Sequence, residues 1–135
     1  MKLKNILVSG ILGGIAIFVV WLIAGILVQV SGLYNVMTLG GMRSASDPVM
    51  LLFFLHPWVI SFAMAIVYSQ VGKAFEGTLM QKGIKFGLLA WLVSSIPSTF
   101  IVYTSMNYPL AFSVVSLAAS FVYMALAGVV VAKFG

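Results

Sequence analysis

Of the chain's 135 residues, 63% are hydrophobic and 7% charged, against about 25% charged in a typical soluble domain. The net charge of +5 does not mark a nucleic-acid partner, because the lysines sit at the ends of apolar runs rather than along a basic stripe. The absence of cysteine excludes structural disulfides, thiol catalysis, Cys-ligated zinc and iron–sulfur clusters, and quinone reduction through a CxxC pair.

Four apolar runs occupy residues 6–30, 48–71, 84–105 and 109–132. Each is at or above the ~20 residues a helix needs to cross a hydrocarbon core. The fold expected is all-α: an integral membrane four-helix antiparallel bundle forming a single transmembrane domain over residues 1–135. Lys2, Lys4, Lys73, Lys82, Lys85 and Lys133 fall on one side of such a bundle, and only Arg43 on the other. The positive-inside rule therefore puts the N- and C-termini in the cytoplasm. Met1-Lys2-Leu3-Lys4 resembles the start of a secretory leader, but the apolar run behind it far exceeds an h-region, so a retained first span is expected.

The first run carries Gly10, Gly13 and Gly14, with Gly10-x-x-x-Gly14 suited to close approach of another backbone. Residues 31–47 form a glycine-rich outer loop, either lying on the membrane surface or capping the bundle. Arg43 and Asp47 are four apart in it: a candidate contact for a lipid headgroup or partner, or simply a solvent-exposed ion pair. Asp47-Pro48 reads as a cap followed by a first-turn proline. Pro57 cannot donate to the Phe53 carbonyl, so a kink is expected there. Ser61, Ala65 and Ser69 form a stripe of small residues.

His56, the only histidine, lies about 12 Å of helix below Pro48. It is the candidate cofactor-binding residue, for haem, a pigment or a quinone. The plainer reading is a neutral imidazole bonded near the interface beside Trp58. A bis-histidine haem would need a second histidine, and no cofactor is the favoured expectation.

Residues 72–83 form a short inner connection. In the third run Ser94, Ser95, Ser98 and Thr99 surround Pro97 as a candidate polar cavity beside a broken helix, or as hydroxyls repairing a proline kink. Trp21, Trp91 and Tyr103 are candidate pocket aromatics or ordinary packing. Asn107 and Pro109 repeat the cap-plus-proline pattern. The fourth run places Ser113, Ser116 and Ser120 on one face, and Ala111, Ala118, Ala125 and Ala132 at a period of seven. No Asp or Glu lies within a span, and His56 has no carboxylate or serine at a catalytic spacing, so neither ion coupling nor catalysis is expected, and no metal site.

Gly13-Gly14 followed by Trp21, Lys82-Gly83-Ile84-Lys85-Phe86-Gly87 and the late Ala127-Gly128 resemble packing motifs of small prokaryotic four-span proteins in domain-of-unknown-function groups. The resemblance covers most of the chain loosely and implies a multi-pass protein of the prokaryotic cytoplasmic (inner) membrane; it imports no site. The span-1 glutamate of small multidrug transporters and the Arg- and Asn-rich motifs of membrane glutathione transferases are missing. The function expected is that of a non-catalytic membrane protein, oligomeric or an accessory subunit of a larger complex, with lipids, further copies or other membrane subunits as partners. The alternatives are a small transporter or channel for a neutral or lipophilic solute, and a pigment- or quinone-binding redox subunit using His56.

Overall fold

The computed structural model describes residues 2–135. Among them the regular structure is helical: α1 (Leu3–Ser31), α2 (Met50–Phe53), α3 (His56–Val71), α4 (Leu79–Ser105) and α5 (Leu110–Phe134), with 3₁₀ turns at Val36–Thr38 and Gly72–Ala74. Three helices, α1, α4 and α5, are long and apolar enough to cross a membrane. With 29, 27 and 25 residues, each exceeds the ~20 that span about 30 Å of hydrocarbon.

The second apolar run is divided. The cap expected at Asp47 is displaced: α2 starts at Met50 with Val49 as its N-cap, and Asp47 instead closes the turn before it, its carboxylate accepting from Val49 N–H at 2.9 Å and its carbonyl from Met50 N–H at 2.9 Å. The helix then breaks between α2 and α3, one turn before Pro57. Proline lacks the N–H that would bond Phe53, and the turn tightens instead: Phe54 N–H reaches Leu51 O at 3.3 Å and Leu55 N–H reaches Leu52 O at 3.0 Å. Phe54 and Leu55 keep right-handed helical dihedrals, so the chain direction continues into α3. Pro57 is then a first-turn residue of α3, where it sacrifices no bond.

Pro97 behaves differently. The broken helix considered for the third run is not found: α4 continues through Pro97. Its neighbours' hydroxyls bond their own helix, Ser94 to Ala90 O at 2.6 Å and Ser98 to Ser95 O at 3.2 Å. The cap expected at Asn107 is also not found. Pro109 is itself the N-cap of α5, and Tyr108 leaves the helix to donate to Gly40 O at 2.9 Å. The inner connection is shorter than the composition suggested, because a capping box formed by Thr78 and Gln81 starts α4 at Leu79.

The packing is antiparallel between neighbours. Along α1, Gly10, Gly13 and Gly14 face Phe62, Ser61 and Trp58 of α3 in descending order, and Ser61 donates to Ser9 O at 3.3 Å. Gly10 and Gly14 therefore admit aromatic side chains rather than the neighbouring backbone. True backbone approach occurs between α4 and α5: Gly83 lies against Val129 and Gly128, and Gly87 against Met124 and Ala125. The buried stripe of α5 is Ser113, Ser120, Met124, Ala127, Gly128 and Val131, so Ala118, which is exposed, is not on the packed face. The core cluster includes Ile17, Met64, Tyr68, Phe86, Met124 and Val131. Leu3, residues 72–78 and Phe134 define one end, called here the terminal end; residues 32–49 and 106–109 define the loop end.

Candidate functional site

A cavity of about 840 Å³ opens at the loop end between α1 and α5. Each wall comes from a local feature already described. On α1, Trp21 and Gln29 line it, two turns apart. Gly32 ends that helix with a positive φ of 67°, a conformation a side chain resists, and so turns the loop back over the cavity. Tyr34, Val36 and Met37 then line its mouth, held by a 3₁₀ turn in which Asn35 Oδ1 accepts from Met37 N–H at 3.0 Å. The Tyr108–Gly40 bond clamps the same loop to the start of α5. The long outer loop thus caps the helices instead of lying free on a surface. Tyr34 packs edge-on to Phe112, ring centroids 5.5 Å apart, and burial there pushes its phenol above the usual range.

His56 lines this cavity because the break before Pro57 places it at the first position of α3. Its ring stacks beside Phe53 at 6.1 Å and meets the edge of Trp21 at 5.7 Å. Its Nδ1 is buried and makes no well-aligned hydrogen bond within the chain, although the ring interacts with the Phe53 backbone one turn before it. An unpaired buried polar atom costs roughly 1–3 kcal/mol, so such atoms are rare and call for a partner. An imidazole nitrogen can donate to a carbonyl when protonated, or give its lone pair to a metal or a donor when not.

The other candidates are dispersed. Trp91 belongs to α4–α5 packing, with its Nε1 donating to Ser120 Oγ, and Tyr103 is exposed. Ser94, Ser95 and Ser98 border a separate, almost wholly apolar groove of about 420 Å³ between α3 and α4; Thr99 does not line it. Arg43 and Asp47 form an ion pair at 3.0 Å, with the arginine 61% exposed. An exposed pair of this kind contributes about 0–1 kcal/mol. Among the described residues no three His, Cys, Asp or Glu side chains gather as a metal cluster.

Tyr123, Tyr34 and Gln29 were not singled out from sequence, although all three line the His56 cavity. The available signal was a polar group on an otherwise apolar run, as at Gln29. Comparison with family models, curated proteins and solved structures found no match.

Proposed function

We propose that the protein is a non-catalytic, four-span integral protein of the prokaryotic cytoplasmic membrane with both termini cytoplasmic. Its proposed role is to hold a lipophilic molecule at the loop end, as an oligomer or as an accessory subunit of a larger membrane complex. A fourth crossing is supported by the right-handed backbone that carries α2 into α3. Met50 to Val71 as a continuous rod is about 33 Å long, enough for the hydrocarbon core, whereas α3 alone is about 24 Å.

The single observation that carries the ligand reading is the placement of His56, whose buried Nδ1 lacks a well-aligned partner, beside an aromatic-walled cavity of about 840 Å³. Cavities of about 300–1,000 Å³, mostly apolar with a few polar groups, are the usual form of small-molecule sites. The ligand class is a flat lipophilic molecule with a polar group for His56, such as a quinone carbonyl or the metal of a pigment. Trp21 and Phe53 would flank its ring, and Gln29 and Tyr34 offer further hydrogen bonds near the mouth. The subunit reading must use faces other than the glycine stripes, since Gly10, Gly13, Gly14, Gly83, Gly87 and Gly128 are occupied within the chain.

The test is purification from the native membrane, followed by an absorption spectrum and mass spectrometry of the organic extract. A lipophilic compound other than phospholipid, retained by the wild type and depleted in His56→Phe, is the expected result. A wild type that retains none would overturn the ligand reading.

A further inference from the structure

The groove between α3 and α4 exists because these two helices meet at the terminal end, through Tyr68 and Phe86 with ring centroids 5.0 Å apart, and otherwise pack against α1 and α5. Its floor is Phe86, Met64 and Met124, all buried. Its rims are Val67 on α3 and Val93 on α4, 51% and 67% exposed, so one long side opens sideways. Along α4 it runs from Phe86 to Ser98, a rise of about 18 Å, close to the ~15 Å depth of one leaflet's hydrocarbon. The hydroxyls of Ser94 and Ser98 are already bonded to Ala90 and Ser95, which leaves Ser95 as the one lining serine without such a bond in an almost wholly apolar groove. Its shape and chemistry fit an alkyl chain.

The terminal end of the groove is basic. Lys82 lies one turn before Phe86 on the stripe Lys82, Phe86, Leu89, Val93, whose last three members line the groove; it is half-buried. Lys73 follows Val71, the last lining residue of α3, in the 3₁₀ turn. Lys85 is engaged, donating to Glu76 O at 3.2 Å. Among the described residues the ion pair is Arg43–Asp47 at the opposite end, so the Glu76 carboxylate pairs with neither Lys73 nor Lys82.

The geometry points to an anionic phospholipid as the occupant, with one acyl chain in the α3–α4 groove and its phosphate between Lys73 and Lys82. This inference rests on the helices crossing the bilayer but not on the His56 ligand. A zwitterionic lipid offers the same tail, but its cationic group would meet two ammonium groups. A second copy packed here with two-fold symmetry would bring the lysine ends of both chains together.

Native mass spectrometry of the detergent-solubilised protein tests it, titrating phosphatidylglycerol against phosphatidylcholine of the same chain length. The wild type retains phosphatidylglycerol preferentially. A basic residue near an anionic headgroup is worth about fivefold in affinity, so Lys73→Gln with Lys82→Gln lowers phosphatidylglycerol retention about 25-fold and leaves phosphatidylcholine unchanged. Ala63→Phe, which fills the groove and keeps both lysines, lowers retention of both lipids. Equal binding of the two lipids by the wild type would overturn the proposal. So would a preference that survives the double substitution, retention unaffected by Ala63→Phe, or a dimer in place of lipid adducts. Monodispersity of each variant in detergent shows that it is folded; a wild type monodisperse without detergent would instead refute the spanning reading.

Discussion

Trp91 on α4 donates its indole N–H to the hydroxyl of Ser120 on α5 at 3.0 Å, and the same N–H reaches the Leu117 carbonyl at 3.1 Å. The bond is shared, so the two partners are not equivalent. Trp91→Phe removes the donor and is expected to cost about 1 kcal/mol, in the range of interhelical hydrogen bonds in membranes plus some lost packing on Phe121. Ser120→Ala leaves the bond to Leu117 and is expected to cost less than half of that. Unfolding in mixed micelles, with both variants side by side, measures the ranking; an equal or larger loss for Ser120→Ala contradicts a shared bond.

Glycine-to-alanine substitutions are expected to change sign with position. At Gly87 an added Cβ runs into the backbone of Met124 and Ala125, so α4 and α5 must separate. Overpacking of this kind costs about 1–3 kcal/mol. At Gly25 nothing lies within 4 Å, and alanine should stabilise the helix by about 0.5–1 kcal/mol. Gly10 is intermediate, because its obstacle is the Phe62 ring, which can rotate away. The same unfolding assay on all three variants gives the order.

The start of α4 is a local device that water can reach. Thr78 Oγ1 accepts from Gln81 N–H at 3.3 Å, and Gln81 Oε1 accepts from Thr78 N–H at 3.0 Å. Loss of a threonine cap costs about 0.5–2 kcal/mol, so Thr78→Ala should lower stability by about 1 kcal/mol and speed amide exchange at Gln81 and Lys82. Exchange that rises uniformly along α4 would contradict a local cap.

Features set within a few residues were legible in the sequence. The break before Pro57 follows from a missing N–H, and the turn that Asp47 closes before α2 follows from a short carboxylate beside a proline, although the helix itself begins at Met50. The capping box was equally legible in Thr78-x-x-Gln81 but was passed over as part of a connection. Of the two readings of Pro97, the broken helix is not found, and α4 carries the proline with Ser94 and Ser98 bonded to their own helix, since a proline with a long helical run on each side can be carried at the loss of one bond. Pairing of the helices was not legible. In lipid a buried leucine and a lipid-facing leucine have the same chemistry, so an all-round apolar helix does not announce its inward face. That is why the period of seven in the α5 alanines does not mark the packed face: Ala118 is exposed and Ala125 lies against Gly87, while the buried stripe runs through Ser120, Met124 and Gly128. The His56 cavity has the same limit: the histidine was visible, but its neighbours Gln29, Tyr34 and Tyr123 come from a loop and two other helices, brought together only by packing.

The number of crossings is the claim on which the rest depends, and the cysteine-free sequence gives a clean way to count them. Single cysteines introduced as Lys4→Cys, Ser46→Cys, Lys82→Cys and Lys133→Cys each report one side of the membrane to an impermeant thiol reagent. Four crossings place positions 4, 82 and 133 on the cytoplasmic face and position 46 alone on the other. Labelling of 46 and 82 from the same face, the pattern expected if residues 50–71 do not cross, would contradict the account.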